Sequence, residues 1–253
     1  MLSRPVKASI QAGKAQAAPF RRKGVGLAGQ VKSKQRVADH GEVFTNPREV
    51  NAMLDMVKQE TERIDSRFLE PACGNGNFLA EVLRRKLAVV AGMYRTSPYE
   101  YMRNAFVATA SLYGVDLLPD NVEECRERLY DIVENEAKSA IKKHIEQRFL
   151  NAVRFVLEKN ILCGDALTLK DANGNPIRFA EWSIVTGDKV KRRDYLLSEL
   201  LEGSDSQQSL FGDPFSDRND AVEWEFDEEI QAFVPSAVEE YPLVNYWEVQ
   251  RHG

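Results

Sequence analysis

Three short, largely apolar runs, Arg67–Glu70, Leu112–Asp116 and Asn160–Cys163, alternate along this chain with stretches of helical spacing. Residues 47–63, PREVNAMLDMVKQETER, place Val50, Met53, Leu54 and Val57 at helical intervals, with Asn46 as cap and Pro47 at the first helical position. Arg67–Glu70 then reads as a strand, stopped by Pro71 and opening through glycines 74 and 76 into a helix from about Phe78 to Leu87. Residues 99–112 are helical in pattern and lead into a second strand, Leu112–Asp116. A long helical region over 120–158 follows, then a third strand at Asn160–Cys163 closed by Gly164-Asp165. Asp171–Pro176 is a turn between two short extended pieces. Trp182–Val185 stands where a fourth strand of the same kind is expected. Strands alternating with helices predict an α/β fold with a doubly wound, mostly parallel sheet.

Charge divides the chain unevenly. Residues 1–36 hold nine Lys/Arg and no acid, out of 34 bases and 39 acids overall. From Glu199 to the end there are fourteen acids against two bases, yet residues 222–249 carry six Trp, Phe and Tyr side chains. The pattern divides into a flexible basic arm (1–36), a core domain (37–202), a linker (203–220) and an acidic aromatic tail (221–253). A basic arm neutralises phosphates without reading sequence, and equally suits a solvated tail. Lys189, Lys191, Arg192 and Arg193 form a second basic cluster, read either as a phosphate contact or as a solvated helix start. No stretch approaches the length of about 20 apolar residues needed to span a bilayer. Cys73, Cys125 and Cys163 are too scattered for a disulfide framework and His40, His144 and His252 lack metal-ligand spacing. A cytoplasmic protein with reduced thiols and no metal is expected.

Three strand ends carry matching chemistry. The first is Glu70-Pro71-Ala72-Cys73-Gly74-Asn75-Gly76-Asn77-Phe78, whose glycines permit positive φ and let a ligand reach the backbone. The helix that follows offers free N–H groups to a carboxylate, and Glu70 can meet an ammonium directly or through water. The second is Asp116, 42 residues after Gly74, placed to accept ribose hydroxyls. The third is Asp165 of Gly164-Asp165-Ala166, placed to accept from an adenine amino group.

LEPACGNGNFL resembles motif I of adenine-N6 DNA methyltransferases of the type I modification and restriction–modification branch. Gly41-Glu42-Val43-Phe44-Thr45 resembles their upstream cofactor motif, and Tyr113–Asp116 and Cys163–Ala166 their second and third motifs. The likeness spans roughly 41–167 in the family's order. It implies a class I methyltransferase-like fold, S-adenosyl-L-methionine as cofactor, and DNA as substrate in a restriction–modification or phage setting. The cofactor-binding set it implies is Phe44, Thr45, Glu70, Ala72, Cys73, Gly74, Gly76, Asn77, Phe78, Asp116, Leu117, Asp165 and Ala166.

The family's Asn/Asp-Pro-Pro-Tyr/Phe tetrapeptide, which clamps the amine of a flipped adenine, has no counterpart: the chain contains no Pro-Pro. Asn175 of Gly174-Asn175-Pro176-Ile177 sits inside the turn signal, Asp213-Pro214-Phe215 lies in the linker, and Asp188 lacks a stacking aromatic. Only 88 residues follow Asp165, too few for the remaining strands and a sequence reader. The expectation is therefore a DNA adenine methyltransferase whose clamp is divergent or comes from a partner chain; the alternative is a non-catalytic cofactor-binding or regulatory subunit acting with a partner chain. Methylation of a protein or small molecule is the third option.

Overall fold

The computed structural model describes residues 32–40, 42–206, 224–227 and 232–252. Most of the basic arm and the stretch 207–223 lie outside them, as do Gly41 and Asp213-Pro214-Phe215.

A short helix α1 (Lys34–His40) is followed by α2 (Pro47–Asp55), where Asn46 accepts from the Arg48 N–H at 2.9 Å as an N-cap with Pro47 behind it. The predicted helix over 47–63 breaks at Met56-Val57 and resumes as α3 (Lys58–Thr61). Strand β1 (Phe68–Glu70) leads through the glycine turn to α4 (Asn77–Tyr94), then α5 (Pro98–Ala110) and β2 (Leu112–Asp116). The helical region expected over 120–158 is two helices, α6 (Pro119–Ile141) and α7 (Gln147–Asn160). Lys142, at φ 54°, turns the chain between them through a 3-10 segment at 142–144. Strand β3 (Ile161–Asp165) and the short β4 (Lys170–Asp171) complete the first sheet.

That sheet has the order β1-β2-β3-β4, the first three parallel and β4 antiparallel. Alternation of side chains decides its two faces. Phe68, Leu112 and Ile161 join the main core with Leu83, Leu129 and Val153 from the helices, whereas Leu69, Tyr113, Val115 and Leu162 pack with Ile177, Phe179 and Leu197 on the opposite face. The chain thus steps in one direction from β1 to β3, and α4 to α7 pack into the core on one face. The protein is mixed α/β with a mostly parallel four-stranded sheet, but among the described residues it is wound on one face rather than two.

A long hairpin follows, β5 (Arg178–Thr186) and β6 (Lys189–Leu196), joined at Gly187 with φ 55°. Its root, with Ile177, Phe179 and Leu197, covers part of the second face, while Trp182, Ile184 and Val190 pack into the main core against α5 and α7. Trp182–Val185, expected as a fourth parallel strand, lies in this antiparallel hairpin instead. Helix α8 (Leu197–Ser206) follows and extends into the predicted linker. Beyond it come a small hairpin of β7 (Trp224–Asp227) with β8 (Ala232–Pro235), and the strands β9 (Glu239–Glu240) and β10 (Val244–Asn245). The tail set apart by composition joins the body: β9 and β10 pair with β6, and Tyr246 and Val249 of a terminal 3-10 turn (Tyr246–His252) are 2% and 3% exposed in the main core. Among the described residues no helix is long and apolar enough to cross a membrane.

Candidate functional site at the glycine turn

The turn after β1 is shaped by two left-handed glycines, Gly74 at φ 52° and Gly76 at φ 83°. Gly76 is also the N-cap of α4, and it offers no side chain to the helix terminus. The first N–H groups of α4 therefore have no intrahelical acceptor. Close packing explains both glycines. A Cβ on Gly74 would sit 3.3 Å from the Phe44 ring, and one on Gly76 would fall 2.6 Å from Cys125 Sγ.

Asp116 closes the turn from β2. Its Oδ2 accepts from the Gly74 N–H at 2.9 Å, while Oδ1 accepts from the Leu118 N–H at 3.0 Å and Asn121 Nδ2 at 3.2 Å. Cys73 adds a backbone tie, its N–H donating to the Val115 carbonyl at 2.9 Å, and its thiol is pushed up in pKa by its contact with Cys125 and by burial. Asn77 links the turn to two other segments: its amide donates to the Thr45 carbonyl at 3.1 Å and its Oδ1 accepts from Arg128 at 2.6 Å.

Glu70 ends β1 beside this turn. Burial pushes its carboxyl up to about 6, partly opposed by the Ala72 N–H. Among the described residues no Lys or Arg pairs with it. A desolvated carboxylate with no cation of its own suits a cationic ligand group.

Phe44, Thr45, Glu70, Cys73, Gly74, Gly76, Asn77 and Asp116 therefore meet at one place. Ala72 is exposed there, Phe78 is half-buried against the core, and Leu117 stands 59% exposed just past Asp116. Asp165 is turned to its own loop, accepting from the Leu167 N–H at 2.8 Å, and that bond leads in holding its carboxyl below the usual range. Ala166 packs beneath on the smaller core. Three residues missed in the sequence complete the arrangement: Asn121 (1% exposed), Arg128 and Arg36. Asn121 and Arg128 lie in an ordinary amphipathic helix pattern, where nothing separates a site residue from a surface one.

The two catalytic candidates lie elsewhere. Asn175 is held in the exposed turn, its N–H and Nδ2 donating to Asp171 at 2.8 and 3.2 Å. Asp188 accepts from the Tyr99 hydroxyl, and its carbonyl accepts from the Tyr246 N–H at 2.9 Å. None of these bonds reaches Glu70, Gly74 or Asp116. The second basic cluster lies in strand β6 and not at a helix start, and three of its four cations have acidic neighbours: Lys191 pairs with Glu240 at 2.5 Å, Arg192 with Asp194 at 2.7 Å, and Arg193 with Glu240 at 3.4 Å. A cleft of about 110 Å3 between α6 and α7, lined by Glu123, Arg126 and Arg154 among others, includes none of the residues of the turn.

No protein-family model, curated protein or solved structure matches the chain.

Proposed function

We propose that the chain binds S-adenosyl-L-methionine at the glycine turn and serves as the cofactor-binding part of an adenine-N6 DNA methyltransferase of restriction–modification or phage type. The observation that carries this reading is the convergence of Asp116 on the Gly74 N–H beside the uncompensated Glu70 carboxylate. The residues suit the cofactor at each end. Glu70 meets the methionine ammonium, the free N–H groups of α4 meet the carboxylate, and Asp116 accepts ribose hydroxyls. Exposed Leu117 offers an apolar contact to the adenine, and Phe44 covers the turn. The bound cofactor supplies an electrophilic methyl group on sulfur.

Transfer to DNA rests on the resemblance of the motifs and on the basic arm. One finding favours a second chain in that step. Neither Asn175 nor Asp188 contacts the turn, and β1 pairs only with β2, so no described strand on its other side carries a base clamp. The reading favoured is a methyl-donor-binding subunit whose partner clamps the flipped adenine.

Thermal melting with S-adenosylmethionine tests the binding claim. Ligand at about 100 times its dissociation constant adds roughly 2.7 kcal/mol of stability. No shift, or an equal shift in the Asp116→Ala/Gly74→Val variant, overturns it. Labelled methyl transfer to mixed-sequence DNA separates the two readings of catalysis: label from the isolated chain identifies a complete enzyme, and its absence with cofactor bound identifies the subunit.

A further inference from the structure

The segment carrying Phe44 and Thr45 is fastened by charges, and this bears on how the turn is reached. Arg36 donates to Glu42 at 2.6 and 2.8 Å and to Asp120 at 2.8 and 3.2 Å. Lys32 pairs with Glu124 at 2.6 Å and Asp120 at 3.3 Å. Glu42, its side chain 8% exposed, also accepts from Asn121 at 2.7 Å, and Asn121 in turn donates to Asp116. Two cations from the N-terminal segment thus pair with three acids, Glu42, Asp120 and Glu124, and Asn121 links Glu42 to Asp116 at the mouth of the turn. The partners are unequally covered. Asp120 and Glu124 are 53% and 45% exposed, so salt and competing anions reach their side of the contact.

We propose that residues 32–40 and 42–46 form a salt-sensitive latch: Lys32 and Arg36, gripping α6 at Asp120 and Glu124, hold Phe44 down over Gly74, and release of that grip opens the route to the turn. This rests on the reading of the turn as a ligand site. With the latch closed, Phe44 occupies the space in front of Gly74, so a ligand enters and leaves when the strap lifts. Exposed ion pairs are individually weak, which suits a latch that opens often. The same two cations continue the basic arm, so a polyanion bound there competes with Asp120 and Glu124 for them.

Chymotrypsin cleavage after Phe44, followed by mass spectrometry at low protease, reads the open population directly. The Lys32→Ala/Arg36→Ala variant is expected to be cut about tenfold faster than the wild type, with Arg36→Lys between them. Raising salt from 0.05 to 0.5 M speeds cleavage of the wild type and leaves the double variant unchanged. Cleavage after buried Phe106 controls for global unfolding and stays constant. Release of S-adenosylmethionine accelerates in parallel with cleavage. Equal cleavage of wild type and double variant overturns the latch, as does unchanged ligand release. If the wild type takes up no S-adenosylmethionine, the proposed function falls, and the cleavage comparison still decides the latch.

Discussion

Asp116, the last residue of β2, accepts the backbone N–H of Gly74 at 2.9 Å, joining the end of that strand to the turn after β1, 42 residues earlier. The bond fixes the turn at the open end of the sheet, where the Gly74 φ of 52° is open to glycine at little cost and strained for other residues. Gly74→Ala is expected to cost about 1–2 kcal/mol from the left-handed backbone alone. The added methyl, 3.3 Å from the Phe44 ring, must also displace the strap. Urea unfolding measures the first effect. Equilibrium dialysis with S-adenosylmethionine measures the second, as a loss of at least about tenfold, since Phe44 and the turn can no longer occupy their places together.

Gly76 is constrained differently. A Cβ there would lie 2.6 Å from Cys125 Sγ, a thiol fully buried in α6. Gly76→Ala should destabilise by about 1–3 kcal/mol from overpacking, beyond the strain of φ 83°. Adding Cys125→Ala removes the sulfur and should recover the packing part only. Full additivity of the two substitutions in a double-mutant cycle would refute the steric account.

Much of this site is visible in the sequence because its constraints are local. Glycines at 74 and 76, the Asn46-Pro47 cap and the strand ending at Asp116 each follow from one or two residues with restricted conformations. Strand direction does not. Trp182–Val185 is as apolar as a buried parallel strand, but the Thr186-Gly187-Asp188-Lys189 turn folds it back on β6. The acidic tail was hidden for another reason: its pairing partner, β6, lies about fifty residues earlier, and Glu239 and Glu240 stand opposite Asp194 and Arg193 only once folded. The break between α6 and α7 falls at Lys142-Lys143-His144, where no glycine or proline marks it.

Lys86 presents a buried charge within this core. It is 0% exposed, donates to the Ile64 carbonyl at 3.2 Å and Ser111 Oγ at 2.5 Å as well as to the Ser66 carbonyl, and burial lowers its pKa to about 7. The unfolded chain holds this proton up to about pH 10.5, so between pH 7 and 10.5 it binds more protons than the native state. Stability from this group is therefore present above the unfolded value and lost as pH falls through about 7. Relative to Lys86→Met, the wild type should gain up to about 1.4 kcal/mol per pH unit between pH 7.5 and 9, read by urea unfolding at each pH.

Tyr246 tests whether the C-terminal turn belongs to the fold. Its ring lies 5.3 Å from Phe106 and 4.9 Å from Trp247, and the residue is 2% exposed. Tyr246→Ala should cost about 3–5 kcal/mol, as for other large buried aromatics. A loss below about 1 kcal/mol in chemical denaturation would mean that the turn only rests on the surface.

Glu70 sets ligand affinity against stability. Its carboxyl titrates near 6 in the fold against 4.5 in a free chain, so the native state holds the proton more tightly. The sign follows directly: below about pH 4.5 the group is neutral in both states, and as pH rises through about 6 the folded protein loses roughly 2 kcal/mol relative to that limit. Glu70→Gln removes the ionisable group, so it should raise stability at pH 8 by about that amount and change little at pH 4. The same substitution removes the negative partner for a ligand ammonium. Affinity of the wild type for S-adenosylmethionine should rise as pH increases through about 6, where the carboxylate forms, and this rise should vanish in Glu70→Gln. Isothermal titration across pH 5–8 alongside melting curves separates the outcomes: a variant that is more stable at pH 8 and yet binds as well as the wild type would place the ammonium elsewhere.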